Sequence, residues 1–204
     1  MATIKNIIFD LGGVLIDWNP DYLYDKVITD TKERAYFFKH VCPMEWNENQ
    51  DAGYPLAQAM ADRIALFPHY KDWIELYYGR WEEMLGEAIE GTVDILKTFV
   101  ESTEYKVVAL TNWSAETFPI AQKRFEFLQW FEGILVSGEE KMRKPFPEIY
   151  ALCLERFGLK GEESLFIDDN LRNINAAEAL GIQCIHFSSP KQLAQALNEK
   201  NISI

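Results

Sequence analysis

The chain has 204 residues, 48% of them hydrophobic and 25% charged, and a formal net charge of -12. That is enough for one sizeable core with a small accessory domain, and the acidic balance argues against nucleic-acid or anionic-membrane partners, which need a positive surface. An anionic small molecule remains compatible, because a metal or a few local cations can reverse the field inside one cleft.

Ile4 to Phe9 is an Ile-rich run that ends at Asp10 and Gly12-Gly13. It is too short for a membrane span and no small-residue cleavage site follows, so a reduced, cytoplasmic setting is the default expectation. Such a run reads as a strand buried on both faces, as in parallel sheets. From about Pro20 to Gly86 no strand-like run appears. Helical stretches at Tyr22–Thr29, Lys32–His40, Leu56–Leu66 and Lys71–Met84 make this an all-helical insertion, entered through Asp17–Pro20 and left through Gly86–Gly91. The expected division is a catalytic core of residues 1–17 and 87–204 and a helical cap of residues 18–86.

Beyond the insertion, helices and strands alternate: helix Thr92–Ser102, strand Lys106–Leu110, helix Ala115–Gln129, strand Gly133–Val136 and helix Pro147–Phe157. Strand Ser164–Ile167, helix Ile174–Leu180, strand Ile182–Phe187 and helix Lys191–Lys200 complete the series. That order calls for right-handed crossovers and an α/β fold with a doubly wound parallel sheet. Cys42, Cys153 and Cys184 are odd in number and widely spaced, which favours buried thiols over disulfides or a zinc site.

The strands end in polar clusters, and ligands of open parallel sheets bind at the carboxyl ends of strands. Asp10, Thr111, Asn112, Asp168 and Asp169 are therefore expected to share one crevice. Alone, Asp10 reads as a turn residue. Beside the others it has the chemistry of a nucleophile that attacks phosphorus and forms an aspartyl-phosphate. Two like charges 4 Å apart repel by about 4 kcal/mol at an effective dielectric near 20. A divalent cation removes that penalty, and magnesium suits a pair of carboxylates and phosphate oxygens.

Four ordered motifs cover nearly the whole chain: FDLGGVL at Phe9–Leu15, LTNWS at Leu110–Ser114, RKPFPEIY at Arg143–Tyr150 and FIDDNLRNINAA at Phe166–Ala177. In them the sequence resembles the haloacid dehalogenase superfamily, which is populated mainly by phosphatases. The resemblance implies a magnesium-dependent phosphohydrolase of small phosphate esters. Asp10 would be nucleophile and metal ligand, and Gly12 would offer its carbonyl to the metal. Thr111 and the Asn112 amide would bind the phosphoryl group, and Lys144 would offset the charge of nucleophile and phosphate. Asp169 would ligate magnesium directly, with Asp168 acting through water or fixing the ligand, while Asn170 and Asn173 order the loop.

One position departs from the family pattern. Most of these phosphatases carry a second Asp two residues beyond the nucleophile as general acid, and here Gly12 stands there. A good leaving group would suffer least, and the DLGxV opening resembles sugar-1-phosphate phosphatases and the phosphatase-like domain of epoxide hydrolases. Asp17 is an alternative acid, although a linker residue is the favoured reading. Arg63, His69, Lys71 and Arg80, with Trp18, Trp46 and Tyr54, are candidate substrate contacts in the insertion, each competing with plain packing or surface roles. Two other readings stand beside the phosphatase. One is a 2-haloacid dehalogenase, disfavoured by the two extra carboxylates, and the other is a binding protein that kept the fold without the activity. Oligomeric state is not legible.

Overall fold

The computed structural model describes residues 3–202. Five parallel strands form its main sheet: β1 (Asn6–Phe9), β4 (Lys106–Thr111), β5 (Ile134–Val136), β6 (Ser164–Asp168) and β7 (Gln183–His186), in the order β5-β4-β1-β6-β7. This is the α/β sheet expected from the alternation. β1 is central because all four of its residues are buried. It pairs with β4 on one side and β6 on the other, with Phe9 opposite both Ala109 and Ile167. The chain thus leaves β1 in one direction and returns on the other side, which makes the end of β1 the switch point of the sheet.

The two-residue period of the strands divides the core between the sheet faces. Ile7, Phe9, Val107, Ala109, Leu165 and Ile167 join one apolar cluster. There they meet Leu96 and Phe99 of α6 (Glu90–Glu101) and Leu193 and Leu197 of α11 (Pro190–Glu199). Ile8, Val108, Leu110 and Phe166 join the other cluster, with Ile149 and Cys153 of α9 (Pro147–Phe157) and Ile174 and Ala177 of α10 (Leu171–Glu178). The three cysteines are free.

The segment after β1 is mainly helical, with α1 (Asp21–Val27), α2 (Thr31–Tyr36), a π-helical turn at Phe37–Val41, α3 (Met44–Asp51), α4 (Leu56–Leu66) and α5 (Lys71–Gly79). Two features depart from the sequence expectation. The connections into and out of the helices pair with each other as an antiparallel ladder of β2 (Ile16–Trp18) and β3 (Leu85–Ala88). Helix α3 was not expected, because the residues it buries are polar, Asn47 and Gln50, and leave no apolar stripe to read.

The helix expected at Ala115–Gln129 is also divided. α7 (Phe118–Arg124) starts with Pro119 in its first turn, and extended backbone at Phe125 separates it from a 3₁₀ turn at Glu126–Trp130. The break lets Phe125, Phe127 and Leu128 all reach the core, which one straight helix does not allow.

Candidate active site

The loop after β1 begins at Asp10, whose backbone N–H donates to Ile167 of β6 at 2.9 Å. The chain then turns through Gly13, which has φ +73°. A side chain at Gly13 would overlap the carboxylate of Asp169, so glycine is required both by the backbone and by the close approach. Carboxylate oxygens of Asp10, Asp168 and Asp169 lie within 4.8 Å of one another. The sequence-expected acidic cluster is therefore assembled.

Lys144 enters this cluster from the segment before α9. Its side chain is fully buried, and its ammonium lies 2.8 Å from Asp10 Oδ2, 2.7 Å from Asp168 Oδ2 and 3.0 Å from the Leu110 carbonyl. Burial alone pulls the ammonium's pKa down, but Asp10 and Asp168 more than offset this and it is raised. Burial pushes the Asp10 carboxyl well up; Lys144 pulls it back, while Asp168 and Asp169 push it further up. Asp169 is raised by burial and by Asp168.

The two acidic neighbours differ in their freedom. Asp168 has no exposed surface and is held by Lys144, by the Asn170 backbone N–H at 2.7 Å and by Asn173 Nδ2 at 3.0 and 3.1 Å. Asp169 is exposed, and no hydrogen bond to its carboxylate from another described residue restrains it. Asn170 caps α10 by accepting from Arg172 N–H. Asn170 and Asn173 thus order the loop, as their sequence context implies.

Thr111 ends β4 and is buried beside the cluster. The Asn112 side chain is committed elsewhere: its Oδ1 accepts from Lys144 N–H at 2.8 Å and its Nδ2 donates to the Lys144 carbonyl at 3.0 Å. Any role in binding an anion falls to its backbone N–H. Gly12 keeps a carbonyl that accepts no hydrogen bond among the described residues.

A cavity of about 170 Å³ lies between the core and the helical insertion. Gly12, Asn112, Trp113 and Ser114 line it from the core, and Trp18 and Asp51 are among the residues lining it from the insertion. Asp51 was missed by sequence reasoning because α3 carries no periodic signal. A second cavity of about 650 Å³, bordered by Trp46, Tyr54 and Arg63, does not reach the acidic cluster.

The other cationic candidates are engaged locally. Arg63 donates to the Val41 and His40 carbonyls. Lys71 pairs with Glu75 and Arg80 with Glu83 on the surface, and His69 is exposed. Asp17 accepts from Tyr22 and packs on Gly86 in the ladder, away from the cavity. Sequence reasoning also missed Glu48 of α3. It bridges Arg143 at 3.0 Å and Arg172 at 2.5 Å, tying the insertion to the segment before α9 and to the first turn of α10.

The family model of haloacid dehalogenase-like hydrolases matches residues 4–181. The chain belongs to that family of hydrolases. It is 29% identical to a sesquiterpene phosphatase of Aspergillus oryzae, covering 92% of this chain and 91% of that one. It is 26% identical to a phosphorylated carbohydrates phosphatase of Thermotoga maritima, covering 90% and 84%. A family enzyme of Bacteroides thetaiotaomicron, solved with magnesium and inorganic phosphate, superposes with a TM-score of 0.71 at 25% identity, covering 91% of this chain and 95% of that one. No helix among the described residues is long and apolar enough to cross a membrane.

Proposed function

We propose that the chain is a magnesium-dependent phosphatase of small phosphate esters, phosphorylated sugars among them, working through an aspartyl-phosphate on Asp10. The observation that carries this is the cluster of Asp10, Asp168 and Asp169, the first two buried and the third exposed, with the buried Lys144 between the first two. The phosphatase names of the relatives support the same class.

The donor set fits magnesium. Only hard oxygen ligands converge, and Asp169 and the Gly12 carbonyl remain uncommitted, as a metal-binding group must. Asp10, Asp169 and the Gly12 carbonyl would hold the ion, with Asp168 fixing the geometry through Lys144 and Asn173. Bound there, magnesium supplies charge neutralisation and polarises the phosphoryl oxygens.

The chain's own groups then divide the work. Asp10 attacks phosphorus, Lys144 compensates the charge that gathers beside it, and Thr111 with the Asn112 backbone N–H orients the phosphoryl group. Residues 18–86 act as a cap that closes over the bound ester and excludes water.

The test is phosphate release from a panel of sugar and other small phosphate esters. Turnover with magnesium that stops with chelator is expected, and turnover that survives chelator removes the metal from the mechanism. Gly13→Ala tests the site's backbone. It is expected to cost about 1–2 kcal/mol for the left-handed conformation and, by pushing Asp169 aside, to weaken magnesium binding. Thermal melting and calorimetric titration read the two effects, and unchanged magnesium affinity would show that Asp169 is not a ligand.

A further inference from the structure

The reaction needs a proton at the departing oxygen, and Gly12 has no side chain to give one. Asp51 is a carboxylic acid on the cavity beside Gly12 and Asn112. We propose that Asp51, carried by α3, is the general acid that protonates the leaving-group oxygen; this rests on the phosphatase reading above.

Its position is fixed from the core as well as from its own helix. Ser137 Oγ donates to the Asp51 carbonyl and accepts from Trp113 N–H at 2.9 Å, which ties the end of α3 to the loop after β4. A few residues on, the Leu56 N–H donates to Glu116 at 2.9 Å. The carboxylate is oriented too: Tyr78 OH donates to Asn47 Oδ1 at 2.9 Å, and Asn47 Nδ2 donates to Asp51 Oδ2 at 3.1 Å. Asp51 therefore faces the same loop, Thr111 to Ser114, that would hold the phosphoryl group.

The electrostatic setting suits an acid at neutral pH. The residue keeps an edge to the cavity while protein encloses its carboxyl, and the pKa is pushed up to about 7, mainly by burial. Within that balance Glu48 also raises it, while Arg143, hydrogen bonding from the Ser114 backbone and Lys144 pull it down. Tyr77 and Tyr78 face it from α5, and burial raises both phenols above their ordinary range, so neither competes as a donor. The buried indole N–H of Trp113, on the same cavity, has no hydrogen-bond partner among the described residues.

The proton balance closes over two steps. As Asp10 Oδ bonds to phosphorus and the ester P–O bond breaks, Asp51 gives its proton to the departing oxygen and the alcohol leaves. Water then attacks the aspartyl-phosphate and Asp51 takes one of its protons. The Asp10–phosphorus bond breaks, giving inorganic phosphate, free Asp10 and protonated Asp51.

The experiment compares Asp51→Asn with wild type on an alkyl phosphate and on p-nitrophenyl phosphate, both with magnesium. The alkyl ester should lose about 10²–10⁴-fold in kcat/KM. The aryl ester, whose phenolate leaves unaided, should lose far less. Wild-type kcat/KM on the alkyl ester should fall as pH rises through about 7, and the variant should lack that limb. Equal losses on both esters, or a retained limb, would overturn the inference while leaving the phosphatase reading in place. Wild-type protein that releases phosphate from no ester would overturn both. Should the variant not fold, the wild type alone decides. A shallow dependence of kcat/KM on leaving-group pKa supports the acid, and a steep one rejects it.

Discussion

Asp10→Asn is expected to stop phosphate release while leaving the fold in place. The carboxamide matches the carboxylate in shape but cannot attack phosphorus, so a loss on the order of 10⁶-fold is expected, the scale seen when a covalent nucleophile is removed. The fold should tolerate the change because Lys144 keeps its 2.7 Å partner Asp168 and the Leu110 carbonyl. The Asp10 backbone bond to β6 also does not involve the side chain. Phosphate release and a melting curve of the same preparation form the check. After an acid quench, wild type should carry one phosphoryl group on the Asp10 peptide and the variant none. A variant that still turns over an ester would remove Asp10 as the nucleophile.

The parts of this site that were legible in the sequence share one property: they lie on continuous apolar strands that end abruptly. Ile7 to Phe9 followed by Asp10, and Leu165 to Ile167 followed by Asp168, announce a buried strand and a polar edge in a single stretch of chain. Their convergence follows from parallel topology, so residues more than 150 positions apart could be grouped before any contact was known.

What escaped depends on pairing between distant segments with no local pattern. β2 and β3 are three and four residues long and only partly buried, and each is a strand because the other lies beside it. Helix α3 turns Asn47 and Gln50 inward and uses Glu48 to reach Arg143 and Arg172, so polar contacts with the core stand where an apolar stripe would have been visible. Asp51 meets Ser137 across 86 positions of sequence. The residue best placed to replace the missing acid was thus the one with the weakest local signal.

Lys144→Met should lower stability by about 3–5 kcal/mol, the usual cost of removing one partner from a buried ion pair. For a chain of this size that corresponds to a fall in Tm of roughly 6–20 °C. The cause is not lost packing, since Met fills most of the same volume. It is two carboxylates left facing each other with side-chain exposures of 10% at Asp10 and 0% at Asp168. In the variant Asp10, raised by burial, loses the ammonium that pulled it back, so its folded pKa lies further above the unfolded one. A raised carboxylate pKa removes stability as pH rises, so the deficit should be largest at neutral pH and close as pH falls toward about 4, the ordinary carboxylate value. In wild type the Lys144 pKa is raised from 10.5, so its contribution is complete below that value and is lost only as pH climbs through the folded pKa. Adding Asp168→Asn to Lys144→Met removes one unpaired charge and should recover part of the stability without restoring turnover. Melting curves at pH 7 and pH 4.5 for the two variants and wild type separate these terms. A Lys144→Met protein that melts with wild type at pH 7 would show that the buried ion triplet does not hold this end of the sheet together.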